Sequence, residues 1–295
     1  MIKKIITCLI VLALFGSCKR WTAVPVPSYI QISNYTTKVT SQQGTSNQNY
    51  SDMQVIANGT TYGIFPLGAQ IPVIGSGSLE FVIKAVVEIN GVSALRSTYE
   101  VMKGCDTIIN VQAGQVTNIV PTFEYFANAT FPWIENFDGG VGDNGPKLTD
   151  SPCFCDSDKT IIPYSPGMGG KGGCLLIQPN AISGNGVSMV QTASTIGLPS
   201  GGVGIYMEFN YMGNIPISIA IQGAATSANG NTATAITSCG GVYPSTTWQK
   251  AYIQLTEQVS TLQSGLYYIY FTCLYDDLVP NNAAYIDNIK IVTAH

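Results

Sequence analysis

From Ser28 onward the chain is written in a two-residue period, and that alternation restricts it to a β fold. Tyr29-Ile30-Gln31-Ile32-Ser33 alternates apolar with polar, the pattern of a half-buried strand. Met53 to Ala57 repeats it and is closed by Asn58-Gly59, a pair suited to a two-residue hairpin turn, with Thr60 to Phe65 as the return strand. Ser78 to Ile89 is a long β-rich run closed by a second such pair, Asn90-Gly91. Val92 to Met102, Thr107 to Val111 and Val116 to Phe126 complete the set, and no segment of this half has helical periodicity. The expectation is an all-β chain whose residues 28–127 form a small antiparallel β-sandwich.

A boundary is expected near Ala127 to Thr130, with a second β domain over 128–295. It opens with "ENFDG" at Glu135 to Gly139, continues through "YMEFNYMGNIPISIAIQG", "TTWQKAYIQLT" and "GLYYIYFT", and closes with "AYIDNIKI". Segment by segment this half resembles a jelly roll of the carbohydrate-binding-module type. The first-half stretch "VIANGTTYGIFPLGAQIPVIGSGSLEFVIKAVVEING" loosely resembles small surface-associated β modules. The jelly-roll resemblance implies a structural calcium where the first and last strands meet, and the matching acids are Glu135, Asp138 and Asp287. Calcium takes several hard oxygens, which carboxylates and backbone carbonyls supply. A solvated turn and a strand-end cap are the plainer roles for the same three acids.

The N-terminus carries a different signal. Lys3 and Lys4 precede an uncharged apolar run from Ile5 to Phe15, and Gly16-Ser17-Cys18 ends it. A positive start, a short apolar core and small residues before a break make residues 1–17 a secretory signal peptide, too short to span a bilayer. Gly-Ser-Cys resembles the lipobox of bacterial lipoproteins, and the chain as a whole is similar to Bacteroidota outer-membrane lipoproteins. That resemblance implies cleavage before Cys18 and acylation of its thiol, palmitate included. Residues 18–27, with Pro25 and Pro27, read as a semi-rigid tether, and Lys19, Arg20 and Trp21 suit the headgroup layer. Surface-directed Bacteroidota lipoproteins often carry acidic residues just after the anchor. None follows Cys18, so the cell surface and the periplasmic face both stay open. The chain ends just after its last expected strand, so export is expected to rest on the N-terminal signal and lipid.

Chemistry-bearing residues are sparse. Charged residues make up 10% of the chain and the net charge is −4, which is not the footprint of a nucleic-acid binder. The only histidine is His295, so schemes that need an oriented imidazole have no candidate. Glu135, Glu208, Asp276 and Asp277 are available for glycosidase chemistry, but nothing in the sequence pairs two of them across a cleft. Gly167 to Gly173 is rich in glycine around Lys171 but lacks the Ser/Thr after the lysine and the following helix of a phosphate loop. The chain is not expected to be an enzyme.

What remains points to binding. A sugar-stacking platform would use exposed aromatics, and Trp248, Tyr268 and Tyr270 are the leading candidates, with Tyr206, Tyr211 and Tyr243 behind them. Strand alternation puts Tyr268 and Tyr270 on one face. Core packing is the plainer role for each. Beyond Cys8 and Cys18 there are six cysteines: Cys105, Cys153, Cys155, Cys174, Cys239 and Cys273. An exported compartment permits disulfides, and Cys239 with Cys273, and Cys153 or Cys155 with Cys174, are the expected pairs. Cys105 suits a buried or a reactive free thiol. Asp106-Thr107-Ile108 resembles the Bacteroidota O-glycosylation signal, which would place a glycan on Thr107; an ordinary strand start fits it equally. The functional expectation is a non-catalytic, lipid-anchored envelope protein: an accessory subunit of an outer-membrane barrel-assembly, secretion or uptake machine, or, alternatively, a glycan binder acting through the jelly roll.

Overall fold

A computed structural model of the chain describes residues 25–137, 148–150, 168, 174–179, 186–200, 202, 204–225 and 232–294. It is an all-β sandwich fold. Cys18, the signal segment and Asp138 lie outside the described residues, as do Cys153 and Cys155.

The first half contains β1 (Ser28–Gln31), β2 (Thr36–Lys38), a short 3-10 turn (Ser41–Gln43), β3 (Asp52–Ala57), β4 (Thr60–Pro66), β5 (Gln70–Val73), β6 (Gly77–Glu88), β7 (Arg96–Thr98), β8 (Met102–Lys103), β9 (Cys105–Val111), β10 (Val116–Asn118) and β11 (Thr122–Tyr125). A five-stranded sheet runs β4-β3-β6-β7, with β9 also on β6, and two three-stranded sheets run β10-β1-β5 and β2-β11-β8. Asn58-Gly59 forms the expected two-residue hairpin turn between β3 and β4, whereas Asn90-Gly91 turns the chain within a longer connection, because β7 begins only at Arg96 after a second turn at Val92 to Leu95. Asn58 and Gly59 have φ of 45° and 76°, and Asn90 and Gly91 have 57° and 68°, left-handed at both central positions, as a type I′ turn requires. Two pairings depart from the expected antiparallel pattern: β1 lies parallel to β10, and β2 parallel to β11. Strands so distant in sequence meet through a shared core, which local turn signals do not encode. Ile30, Val55, Phe81, Ile83 and Phe123 are buried in that core.

The second half contains β12 (Thr130–Glu135), β13 (Leu148–Asp150), β14 (Leu175–Ile177), β15 (Val187–Thr192), β16 (Ile196–Gly197), β17 (Ile205–Gly213), β18 (Ile217–Gly223), β19 (Thr237–Val242), β20 (Ser245–Gln254), α1 (Thr256–Leu262), β21 (Leu266–Leu274) and β22 (Ala284–Thr293). One sheet runs β12-β22-β17-β20, with β14 also on β22; the other runs β13-β15-β21-β18-β19, with β16 also on β21. Their inner faces meet in a core that includes Met207, Phe209, Ile219, Ile253, Ile269, Phe271 and Ile291. Phe209 and Phe271 cross edge to face at 5.7 Å between centroids, a favourable aromatic geometry. The helix α1 has no counterpart in the sequence expectations. It is a two-turn element that buries Val259 alone and ends on Gln263, whose φ is 48°. So short a segment leaves no periodic signal.

Candidate functional site

The two halves meet along the outer face of the β12-β22-β17-β20 sheet. In β17, Met207 and Phe209 point into the second-half core, so alternation turns Tyr206, Glu208 and Asn210 the other way. In β20 the same rule turns Lys250 and Tyr252 outward, and in β22 Lys290 stands opposite Glu208. On an isolated sandwich such a face would be wet. Here the first half covers it: Tyr206, Tyr252 and Val292 join the first-half core, and Glu208, Asn210, Lys250 and Lys290 are buried. The end of β6 also extends this sheet, with Ile89 bridging to Tyr252 and the Asn90 amide donating to the Tyr252 carbonyl at 2.9 Å.

Glu208 is the hub of the seam. Tyr99 and Tyr125 donate their hydroxyls to its Oε1 at 2.5 and 2.6 Å, and Gln48 Nε2 donates to Oε2 at 3.0 Å. Lys250 Nζ and Lys290 Nζ lie 3.2 and 3.5 Å from Oε2. Burial alone would raise the carboxyl, but Lys290 and Lys250, followed by the two tyrosine hydroxyls, outweigh it and hold Glu208 down at about 2. Burial pushes Lys250 down; Glu208 pulls it back up and Lys290 pushes it further down, leaving it at about 8. Lys290 is well satisfied: Nζ donates to the carbonyls of Gln43 and Thr45 and sits 4.9 Å from the centroid of the Tyr125 ring. Lys250 Nζ is near Glu208 but not aligned for a hydrogen bond, and it has no other partner.

Above this buried layer the seam opens into two adjoining clefts of about 450 and 320 Å³. They share Gly91 and Val92 from the β6–β7 turn and Val242 and Tyr243 from the β19–β20 turn. Tyr243 is 77% exposed. The larger cleft adds Glu88, Ser93 and Tyr211, and the smaller adds Ser218. Glu88 is held by Arg96 at 3.4 Å, and Arg96 also meets Asp52 at 3.2 Å. An exposed ring on a lip, with a carboxylate and hydroxyls below it, is a set that can stack on a sugar face and hydrogen-bond its rim.

The sequence candidates are not gathered at this seam, since Tyr268 and Tyr270 belong to the other sheet of the second half. Trp248 is half-buried on β20, on the same strand face as Lys250. Tyr268 is half-buried on β21. Tyr270 is only 2% exposed and donates its hydroxyl to Gln222 Oε1 at 2.5 Å, so it offers no ring face to a ligand. Tyr206 is likewise buried. Alternation placed Tyr268 and Tyr270 together but could not say what covers Tyr270. Tyr243, a secondary candidate, is the exposed ring; its Val-Tyr-Pro setting between two strands was the available signal.

The expected Cys239–Cys273 disulfide is absent, and the reason is topological. Both thiols are free and buried, and β18 lies between their strands. Strands two places apart are separated by about 9.5 Å, beyond the reach of a disulfide. Burial raises the thiols, Cys239 to about 12 and Cys273 well above its usual range. Cys174 is another buried free thiol, raised to about 12 by burial and by Asp287, and both partners proposed for it lie outside the described residues. Cys105 is a half-buried free thiol. Thr107 lies opposite Phe81 in β9, half-buried, between exposed Asp106 and Ile108.

Of the acids expected at a calcium site, Glu135 and Asp287 are buried on the neighbouring strands β12 and β22. Glu135 Oε1 accepts the Phe137 amide, and the two Asp287 oxygens accept the amides of Asn288 and Met168. Among the described residues no group of three metal-ligating side chains comes together.

No family model matches the chain, and no curated protein matches it. Solved structures resemble part of the chain at a distance. A mutant of the family 29 carbohydrate-binding module CBM29-2, complexed with mannohexaose, is 15% identical with a TM-score of 0.35, over 56% of this chain and 93% of that one. The K3 cleaved adhesin domain of Lys-gingipain from Porphyromonas gingivalis W83 is 14% identical with a TM-score of 0.34, over 56% and 99%. The active domain of tailspike protein 4 from bacteriophage CBA120 is 12% identical with a TM-score of 0.39, over 61% of this chain and 25% of that one. At these values the likeness does not say what this chain binds.

Proposed function

We propose that the protein is a non-catalytic glycan-binding protein of a bacterial envelope, tethered through an acylated Cys18, and that it takes its ligand in the seam cleft beneath Tyr243. The observation that carries this reading is the 77% exposed Tyr243 ring on the lip shared by two clefts. An exposed aromatic beside a concave, partly polar surface has little to stack on within its own fold, and a sugar ring supplies a flat C–H face of matching size. Glu88 and Ser93 would orient the hydroxyls, and Arg96 holds Glu88 in place.

A glycan array probed with the soluble mature chain tests this. Binding is expected, and Tyr243→Ala is expected to weaken it about tenfold or more, the loss of roughly 1.4 kcal/mol of stacking. Because the ring is exposed, the variant should fold as the parent does. Equal binding by parent and variant would move the site elsewhere. A second reading, docking to an outer-membrane protein assembly, draws on Ile108. It is 68% exposed on β9 and lines a groove of about 490 Å³ with Val82 and Phe81. A blank array, together with a barrel protein co-purifying in fixed ratio from mild detergent, would put that reading first. Incorporation of labelled palmitate, abolished by Cys18→Ser, is the expected sign of the tether; an unlabelled parent chain would remove the tether from both readings.

A further inference from the structure

Two polar atoms in the buried seam, Asn210 Oδ1 and Lys250 Nζ, make no hydrogen bond, and their residues stand opposite each other. Asn210 and Lys250 are directly opposed on the antiparallel strands β17 and β20. Both are buried, Asn210 at 0% and Lys250 at 6% exposure. Opposed side chains on neighbouring strands have Cβ atoms about 4.5–5.5 Å apart, well within the reach of a lysine arm. Asn210 Nδ2 donates to the Gln249 carbonyl at 3.2 Å and to Asn47 Oδ1 at 3.4 Å, yet Asn210 Oδ1 accepts nothing. Lys250 Nζ makes no hydrogen bond. Buried polar atoms are rarely left without a hydrogen bond, so two on directly opposed residues call for an explanation. Lys290 shows the contrast, since two carbonyls hold its ammonium in place.

The third participant is Glu208, two residues before Asn210 and on the same face. Its Oε2 lies 3.2 Å from Lys250 Nζ. We infer that Lys250 and Asn210 join in an intramolecular isopeptide bond, with Glu208 as the proton carrier. Glu208 takes a proton from the Lys250 ammonium, and the free amine adds to the Asn210 side-chain carbonyl carbon. The new C–N bond forms as the bond from that carbon to Nδ2 breaks. Of the five hydrogens on the two nitrogens, one stays on the new amide and four leave as ammonium, which returns Glu208 to its carboxylate. No oxidant, metal or second substrate is needed. Burial favours the step because it lowers the cost of making the amine neutral, in line with the depressed Lys250. The product replaces a buried ammonium and a primary amide by one neutral amide, and it ties β17 to β20 beneath the first half.

The methionine positions provide a direct test. Met207 and Met212 bracket Asn210, and no methionine follows Met212. Cyanogen bromide therefore cuts Glu208–Met212 away from the fragment that runs from Gly213 and carries Lys250. In the folded full chain the short peptide is expected to stay attached, one ammonia lighter than the sum of the parts. Stepwise sequencing should read two amino termini in equal yield, one from Glu208 and one from Gly213, with a blank where Asn210 falls. Release of a free Glu208–Met212 peptide from folded protein would overturn the proposal. Asn210→Ala is expected to release the corresponding peptide. Glu208→Gln keeps both joined residues and is expected to lose the bond; retention there would remove Glu208 from the chemistry. The parent digest decides on the bond even if a variant fails to fold. A blank glycan array would leave this result untouched.

Discussion

Glu208→Ala is expected to lower the stability of the chain by about 3–5 kcal/mol, the usual cost of removing one member of a buried ion pair and leaving its partners charged. Two ammonium groups would be stranded at the seam, and the hydroxyls of Tyr99 and Tyr125 would lose their acceptor. Urea unfolding of parent and variant measures the difference; a loss below about 1 kcal/mol would mean that water reaches the seam and the network is not desolvated. The same carboxyl sets an acid response. Its folded value of about 2 lies below its ordinary 4.5, so its contribution is complete above pH 4.5 and is lost as the pH falls toward 2. That interval corresponds to about 3 kcal/mol in the parent and should be flat in Glu208→Gln. Lys290 remains a charged partner whether or not Lys250 is joined to Asn210, so the acid response is expected in both forms. Lys250, where it is unjoined, acts in the same direction in a higher window: with a folded value of about 8 against 10.5, it favours the folded state increasingly as pH rises between those values.

The second large effect is expected at Gly91. The turn of Asn90 and Gly91 is pressed onto β19, and a Cβ on Gly91 would lie 2.0 Å from the Gly241 carbonyl oxygen. On the other side of the contact, a Cβ on Gly240 would lie 2.8 Å from the Asn90 Cβ. Gly91→Ala therefore forces the turn off the second half. It endangers the bonds from the Asn90 amide to the Tyr252 carbonyl and from the Gln254 amide to Asn90 Oδ1. The left-handed conformation costs alanine about 1–2 kcal/mol and each lost hydrogen bond about 1 kcal/mol, so a total of about 3–4 kcal/mol is expected. Gly59→Ala is the matched control. It occupies the same position in the other Asn-Gly turn, with φ of 76° and nothing within 4 Å of its Cβ, so it should show the backbone cost alone. Equal losses for the two variants, in the same urea assay, would show that the turn does not bear on β19. Because Gly91 lines both clefts, its variant is also expected to weaken glycan capture, which Gly59→Ala should leave intact.

These two sites differ in how far they can be read from the chain. Gly91 follows an asparagine after a long β run, and its turn is legible as a local conformational requirement. That the turn docks on β19 is not legible, because the contact joins residues about one hundred and fifty positions apart in sequence. Glu208 sits in Tyr206-Met207-Glu208-Phe209, where alternation gives two faces but does not say which is wet. The cysteines and Tyr270 show the same limit. Cys239 and Cys273 both lie in strands, and only strand order puts β18 between them.

The sequence by itself determined the all-β character, the left-handed turns at the two Asn-Gly pairs, most of the strands and the lack of a histidine on which imidazole chemistry could be built. Those are properties of residues within a few positions of one another, where backbone preference and side-chain alternation act directly. The tertiary structure decided that a sheet face carrying Glu208, Asn210, Lys250 and Lys290 is dry, that Tyr270 is covered, and that Tyr243 stands at an open cleft. Desolvation comes from whatever another part of the chain lays over a face. A charged residue at an outward strand position reads as solvated until the first half is seen packed on top of it.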